Sequence, residues 1–235
     1  MRERPIIFSG PMVRAVLEGR KTVTRRIVKH IPWLPGRNPH FSQAMPFVNA
    51  GEWRIAGSEE MTHGFRCPYG QPGDRLWVRE TFKPIASGEV KNGYGEVRYG
   101  YAYQADSSRR WNARPTTIHD LTGQPSKGPM QFQQRPWRSP ATMPHRASRI
   151  TLEVTGVRVE RLQAIDRAGA LAEGIVDMST PSHTAFGVPG ASLAQHPVRA
   201  FQLLWDSING AGSWDANPWV WAIEFRRIEQ ERKAA

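Results

Sequence analysis

The segment Gly19-Arg-Lys-Thr-Val-Thr-Arg-Arg26 gathers the residue types that polar chemistry uses. Its glycine lets the chain turn sharply, so Lys21, Thr24 and Arg26 are presented at one corner, where two cations and a hydroxyl suit an anion. A plainer reading stays open beside it. A lysine just past a helix C-terminus complements the helix dipole, and a threonine in a strand is ordinary. His63 and Cys67 are close enough in sequence to suggest a metal pair, but two ligands do not make a zinc site, and Cys67 is expected to pack in the interior. No glycine-rich phosphate loop, H-E-x-x-H or G-x-S-x-G pattern occurs.

The elements that must position these residues follow from periodicity. Pro5 to Phe8 reads as a short strand. Ser9 is a candidate N-cap, and Met12, Val13, Val16 and Leu17 fall at helical spacing up to Gly19. Thr22 to Val28 alternates in polarity with β-branched residues and reads as a strand, which puts Lys21 at a helix-to-strand corner. Residues from about 30 to 70 show no clear period and read as a long excursion. Arg75 to Phe82 is a strand with Leu76, Val78 and Glu80 on one face and Trp77, Arg79 and Thr81 on the other. A further strand is expected around Gly95 to Gln104. Ser148 to Val159 is the longest alternating run, a central strand bent near Gly156. Asp166 caps a short helix that stops at Gly174, and Val198, Phe201, Leu204, Trp205 and Ile208 mark the apolar face of another, ended by Gly210. Pro218 to Phe225 closes as a strand. This order predicts an α+β fold: one domain spanning 1–235, a small mixed β-barrel plugged by short helices, with insertions at about 30–70 and 104–147.

Lys and Arg outnumber Asp and Glu by 32 to 21, a net charge of +11, so the mean potential favours a polyanion. From Leu121 to Leu152 there is no acidic residue, while Lys127, Arg135, Arg138, Arg146 and Arg149 all lie inside that stretch. Such a patch suits a track of phosphates, or simply a solvated basic loop. Trp111, Trp137, Trp33 and Trp53 sit in polar, Pro- and Gly-rich surroundings, where an aromatic either stacks on a base or plugs its loop onto the core. No apolar run has the length of a membrane span, no apolar stretch of signal-peptide length follows the basic N-terminal residues, and one cysteine excludes an internal disulfide framework. A cytoplasmic, reducing setting is expected, with no membrane partner.

The chain also resembles the ASCH domains, a branch of the PUA-like β-barrels with the signature G-x-K-x-x-E-x-R, matched here by Gly19, Lys21 and Arg26. Later blocks are similar to the larger ASCH proteins of bacteriophages and prophages: Cys67 to Phe82, Met143 to Arg149, Ala172-Glu-Gly174, and Asn217 to Trp221. Where the signature has glutamate this chain has Thr24, and the same Lys-to-Thr spacing occurs in the small bacterial ASCH enzymes that hydrolyse N4-acetylcytidine. The resemblance implies a lysine, threonine and glutamate triad: Lys21, Thr24 and Glu173, with Glu80 in reserve for the carboxylate. It implies Gly19, Arg26, Arg79 and Glu80 around the substrate in a barrel-mouth pocket, while the acid-free stretch offers Arg135, Trp137, Arg138, Arg146 and Arg149 to nucleic acid.

The implied reaction is amide hydrolysis with Thr24 as nucleophile, Lys21 as its base and Glu173 as proton donor to the leaving amine, with no metal or cofactor. Lys21 must then be neutral, which burial and the neighbouring Arg25 or Arg26 favour. The implied partner is a modified cytidine or single-stranded nucleic acid. A non-catalytic RNA- or DNA-binding module is the competing expectation, and a ribonuclease or a phage assembly factor a third.

Overall fold

The computed structural model describes residues 1–29, 43–46, 52–56, 62–91, 94–111, 116–119 and 136–228. The architecture is α+β, mostly strands, with three α-helices among the described residues: α1 (Gly10–Leu17), α2 (Arg167–Ala172) and α3 (Pro197–Asn209). Among the described residues no helix is long and apolar enough to cross a membrane. The chain divides into two compact units, one formed by Met1–Ile6, Ala15–Trp77 and Ile150–Glu229, the other including Ile7–Arg14 and Val78–Arg149.

The main sheet has five strands: β1 (Glu3–Ile7), β6 (Arg75–Arg79), β11 (Thr151–Arg161), β14 (Trp219–Ile228) and β2 (Val23–Ile27), hydrogen-bonded in that order. The long alternating run is its central strand, and the bend expected near Gly156 is a register shift between Val154 and Gly156. Among the described residues strand β2 pairs only with β14, so its other side is an edge. Where residues 30 to 70 read as aperiodic, three short strands are present, β3 (Gln43–Pro46), β4 (Glu52–Ala56) and β5 (Phe65–Arg66), joined in one sheet. They are too short to impose a period on the sequence. Trp53 and Phe65 meet Trp221 edge-on, with centroids 6.4 and 5.4 Å away, so Trp53 plugs its loop onto the core rather than facing a base.

The opposite side of the main sheet is closed by α2 and α3. Leu162, Ile165, Ala170, Phe201, Trp205 and Val220 form the core there, together with β12 (Val176–Asp177) and β13 (Phe186–Gly187), which pair with each other. Helix α3 runs from Pro197 to a stop at Gly210 as its periodicity requires, but Ile208 is 48% exposed and does not belong to the buried face. Helix α2 begins on Asp166, whose carboxylate accepts the Gly169 N–H at 2.7 Å.

In the second unit, β7 (Phe82–Lys91) and β8 (Tyr94–Tyr103) form a hairpin of two ten-residue strands, flanked by β9 (Arg109–Trp111) and β10 (Thr116–His119) along β8. The strand expected to run through Phe82 stops at Arg79, and Phe82 opens the next one. The stretch taken as an insertion at 104–147 therefore supplies two strands of this sheet and two 3-10 turns at Pro140–Thr142 and His145–Ala147.

Candidate active site

Lys21 reaches its position through backbone geometry. Helix α1 ends at Gly19, which has φ +75°, and the Lys21 N–H then donates back to Ala15 O at 3.0 Å. Glu173 is placed by an independent helix end. Gly174 has φ +100° and donates to Leu171 O at 2.8 Å, while Ile175 donates to Ala170 O at 3.3 Å, the paired bonds of a Schellman closure. The short block Ala172-Glu-Gly174 therefore dictates where the carboxylate sits. The two ends are stitched together by the Thr22 N–H, which donates to Ala172 O at 2.9 Å.

Residues 152 apart in sequence thus meet. Lys21 Nζ donates to Glu173 Oε2 at 2.5 Å, to the Glu173 carbonyl at 2.9 Å and to Val23 O at 2.8 Å. Glu173 Oε1 accepts the backbone N–H of Arg25 at 2.7 Å and Arg25 Nη1 at 3.4 Å. The register explains this set. Thr22 and Val28 bond to Phe225 and Trp219 on β14, so even-numbered residues of β2 face β14 and the odd ones, Val23 and Arg25, turn their backbone groups to the free edge. Lys21 takes the edge carbonyl and Glu173 takes the edge N–H: the ion pair caps the edge strand where a sixth strand would otherwise pair. Arg25 extends the network, with Nε on Glu160 Oε1 at 2.8 Å and its guanidinium 5.9 Å from the Phe201 ring centroid.

Burial governs the electrostatics. Lys21, Thr24, Arg25 and Glu173 are 2, 1, 4 and 4% exposed. Burial lowers the Lys21 ammonium from its ordinary 10.5 more strongly than the charge and hydrogen bond of Glu173 raise it, and Arg26 and Arg25 lower it further. These residues are closed to solvent, where an open barrel-mouth pocket was expected. A cavity of about 240 Å³ in the same unit lies elsewhere, lined by Arg2, Arg4, Arg66, Cys67, Gln71 and Asp74. Cys67 is buried there, its thiol pushed up to about 11 by burial, and His63 is exposed.

Thr24 adjoins the pair along β2. By strand alternation its side chain lies on the face shared with Arg26, Trp221 and Ile223, opposite to that of Arg25. Arg26 is half-buried. Gly19 shapes the corner through its backbone.

The other expected site residues belong to the second unit. Arg79 donates to the Ala141 carbonyl. Glu80, 1% exposed, is held by a bidentate contact from Arg149, Nε to Oε1 and Nη2 to Oε2, both at 2.8 Å. Arg149 also donates to Asp106 Oδ2 at 2.7 Å and Ser108 Oγ at 2.6 Å, and its guanidinium lies 4.1 Å from the Tyr103 centroid. This corrects its expected place on a phosphate track: the guanidinium is committed to the buried Glu80 and the exposed Asp106. Glu80 is likewise engaged as the anchor of that triad, not presented to a substrate.

Arg138 and Arg146 are exposed, and Trp137 is 41% exposed with Lys83 Nζ 4.8 Å from its ring centroid. Arg135, Lys127 and Trp33 lie outside the described residues. Two features escaped the sequence reading: the direct bonding of Arg25 to Glu173 and Glu160, and the tyrosines at positions 99, 101 and 103. Both had a signal. Adjacent arginines in a strand face opposite ways, so one of Arg25 and Arg26 had to turn toward the helices. Three tyrosines at period two share one strand face.

No family model matches the chain, nor does any curated protein or solved structure.

Proposed function

We propose that this chain is a PUA-like protein of the ASCH type that hydrolyses the N4-acyl amide of a modified cytosine, with Lys21, Thr24 and Glu173 as its catalytic set. The observation carrying the reading is the buried Lys21–Glu173 pair at the edge of β2, the strand that also carries the buried Thr24. Two opposite charges held out of water carry a desolvation cost of several kcal/mol per ion that their attraction and hydrogen bonds must offset, and buried ionisable pairs of this kind concentrate at functional sites. The five-stranded sheet, entered through the Gly19-x-Lys21 corner, stands in this reading for the PUA-like barrel.

The pair also supplies the protonation states the reaction needs. Moving one proton along the 2.5 Å contact from Nζ to Oε2 converts ammonium and carboxylate into neutral lysine and carboxylic acid, with no net uptake of protons. Neutral Lys21 then takes the Thr24 hydroxyl proton as Oγ1 attacks the acyl carbon. Glu173 gives its proton to N4 as the C–N bond breaks, leaving an acyl-threonine ester that water hydrolyses. Burial favours this uncharged form of the pair.

The test is release of cytidine and acetate from N4-acetylcytidine, and from an oligonucleotide carrying it, by the purified protein. Lys21→Met and Thr24→Val are expected to abolish turnover, the latter removing the hydroxyl while keeping the branched shape. Absence of release from both substrates, or a Thr24→Val protein as active as wild type, overturns the reading. A non-catalytic nucleic-acid-binding module is the second reading. It is favoured by the three hydrogen bonds of Lys21 Nζ, which use every proton of an ammonium on internal acceptors.

A further inference from the structure

We infer that the β7–β8 sheet of the second unit carries a stacking platform for single-stranded nucleic acid, with Tyr99 and Tyr101 receiving bases and Arg138 and Arg146 receiving phosphates. The inference rests on the nucleic-acid branch of the function proposed above. It is argued from features that branch did not use.

The sequence Tyr99-Gly-Tyr-Ala-Tyr103 lies wholly on β8, so its three rings share one face, opposite Ala86, Pro84 and Phe82 of β7. Their environments are graded. Tyr103 is fully buried against Phe82, Met143 and Ala147, Tyr101 is half-buried at the margin of that cluster, and Tyr99 is 41% exposed. Tyr103 anchors the row, its hydroxyl donating to Ala147 O at 2.8 Å. The outer two present ring surface to solvent.

Among the described residues, cations flank this row. Arg146 is exposed and its Nε donates to the Tyr101 hydroxyl at 3.2 Å, which places a guanidinium beside that ring. Arg138 is exposed on a backbone bridged to Phe82, its N–H donating to Phe82 O at 2.8 Å, and its position in register puts it on the tyrosine face. The carboxylates near Tyr103, Glu80 and Asp106, are both neutralised by Arg149. Trp137, opposite Lys83, lies on the other face of the sheet.

Spacing selects the ligand. Alternate residues of a strand are about 6.7 Å apart, since each rises roughly 3.3–3.4 Å. Bases in a duplex follow one another at about 3.4 Å. Neighbouring bases therefore reach both tyrosines only from a strand extended to about twice that rise, which a duplex does not allow. Rings with flanking arginines are what such strands use, stacking being tolerant of sequence and phosphate contacts supplying affinity.

The experiment measures fluorescence anisotropy of labelled oligo(U) and oligo(dT) of about twelve nucleotides, within the usual site sizes, with the full-length protein across a salt series. Tyr99→Ala and Tyr101→Ala are each expected to weaken binding by roughly 5- to 150-fold without altering the log–log salt slope, and Tyr101→Phe to bind as wild type. Arg138→Ala with Arg146→Ala is expected to flatten the slope by about 1.4, at about 0.7 per phosphate contact. Circular dichroism checks each fold. If Tyr101→Ala fails to fold, the exposed Tyr99 decides. Wild-type affinity in a folded Tyr99→Ala protein overturns the inference, as does a duplex bound as tightly as the single strand, or no binding of either oligonucleotide. These oligonucleotides carry no acyl group, so a failure of stacking and a failure of hydrolysis are read separately.

Discussion

Replacing Glu173 by alanine removes the acceptor of three donors at once: Lys21 Nζ at 2.5 Å, the Arg25 N–H at 2.7 Å and Arg25 Nη1 at 3.4 Å. The dominant loss is the stranded lysine, 2% exposed, since breaking a buried pair from one side destabilises by about 3–5 kcal/mol. In urea that lowers the midpoint by on the order of 1–2 M, taking a slope of about 2–3 kcal/mol/M. Glu173→Gln keeps an oxygen for the Arg25 N–H and is expected to fall between alanine and wild type. Lys21→Met combined with Glu173→Gln removes both charges and is expected to recover most of the loss, so the two changes are strongly non-additive. Amide hydrogen exchange supplies the local readout: the Arg25 N–H, on the free edge of β2, loses protection in Glu173→Ala. A pH arm follows from the direction of the Lys21 shift. Its folded value lies below 10.5, so between that value and 10.5 the unfolded chain binds more protons, and the contribution of this group to stability rises with pH across that window. Lys21→Met abolishes that rise. Additive single changes, a Glu173→Ala midpoint equal to wild type, or an Arg25 amide still protected would refute the edge-capping argument.

Two further outcomes test the scaffold. Gly174→Ala places a Cβ 3.1 Å from Ala15 Cβ and 3.4 Å from Lys21 Cβ in a residue at φ +100°, and a loss of about 1–3 kcal/mol is expected in the same urea assay. Burial pushes the Glu80 carboxyl above its ordinary 4.5, more than the hydrogen bond and charge of Arg149 pull it down. The stability this raised value contributes is complete below 4.5 and is lost as pH rises through the folded value, so Glu80→Gln should flatten that descent in thermal unfolding profiles.

Local rules were sufficient for the parts of this molecule that single segments specify. Gly19 and Gly174 end their helices because only glycine takes a positive φ without strain, and those two ends already contain the placement of Lys21 and Glu173. The alternation from Ser148 to Val159 fixed a central strand, and Asp166 fixed a helix start. The short strands β3, β4 and β5 were hidden because two to five residues carry too little period to separate from a loop. What the tertiary structure alone decided was partnership. Arg146 and Arg149 look alike in an acid-free stretch, but Glu80 and Asp106, 69 and 43 residues distant, take Arg149 inside while Arg146 stays in solvent. Likewise nothing local to Lys21 says that its ammonium and a carboxylate 152 residues away complete the backbone of an edge strand. Periodicity reports which face of an element is apolar; which charge meets which depends on strand order and register, and those are settled only when distant segments pack.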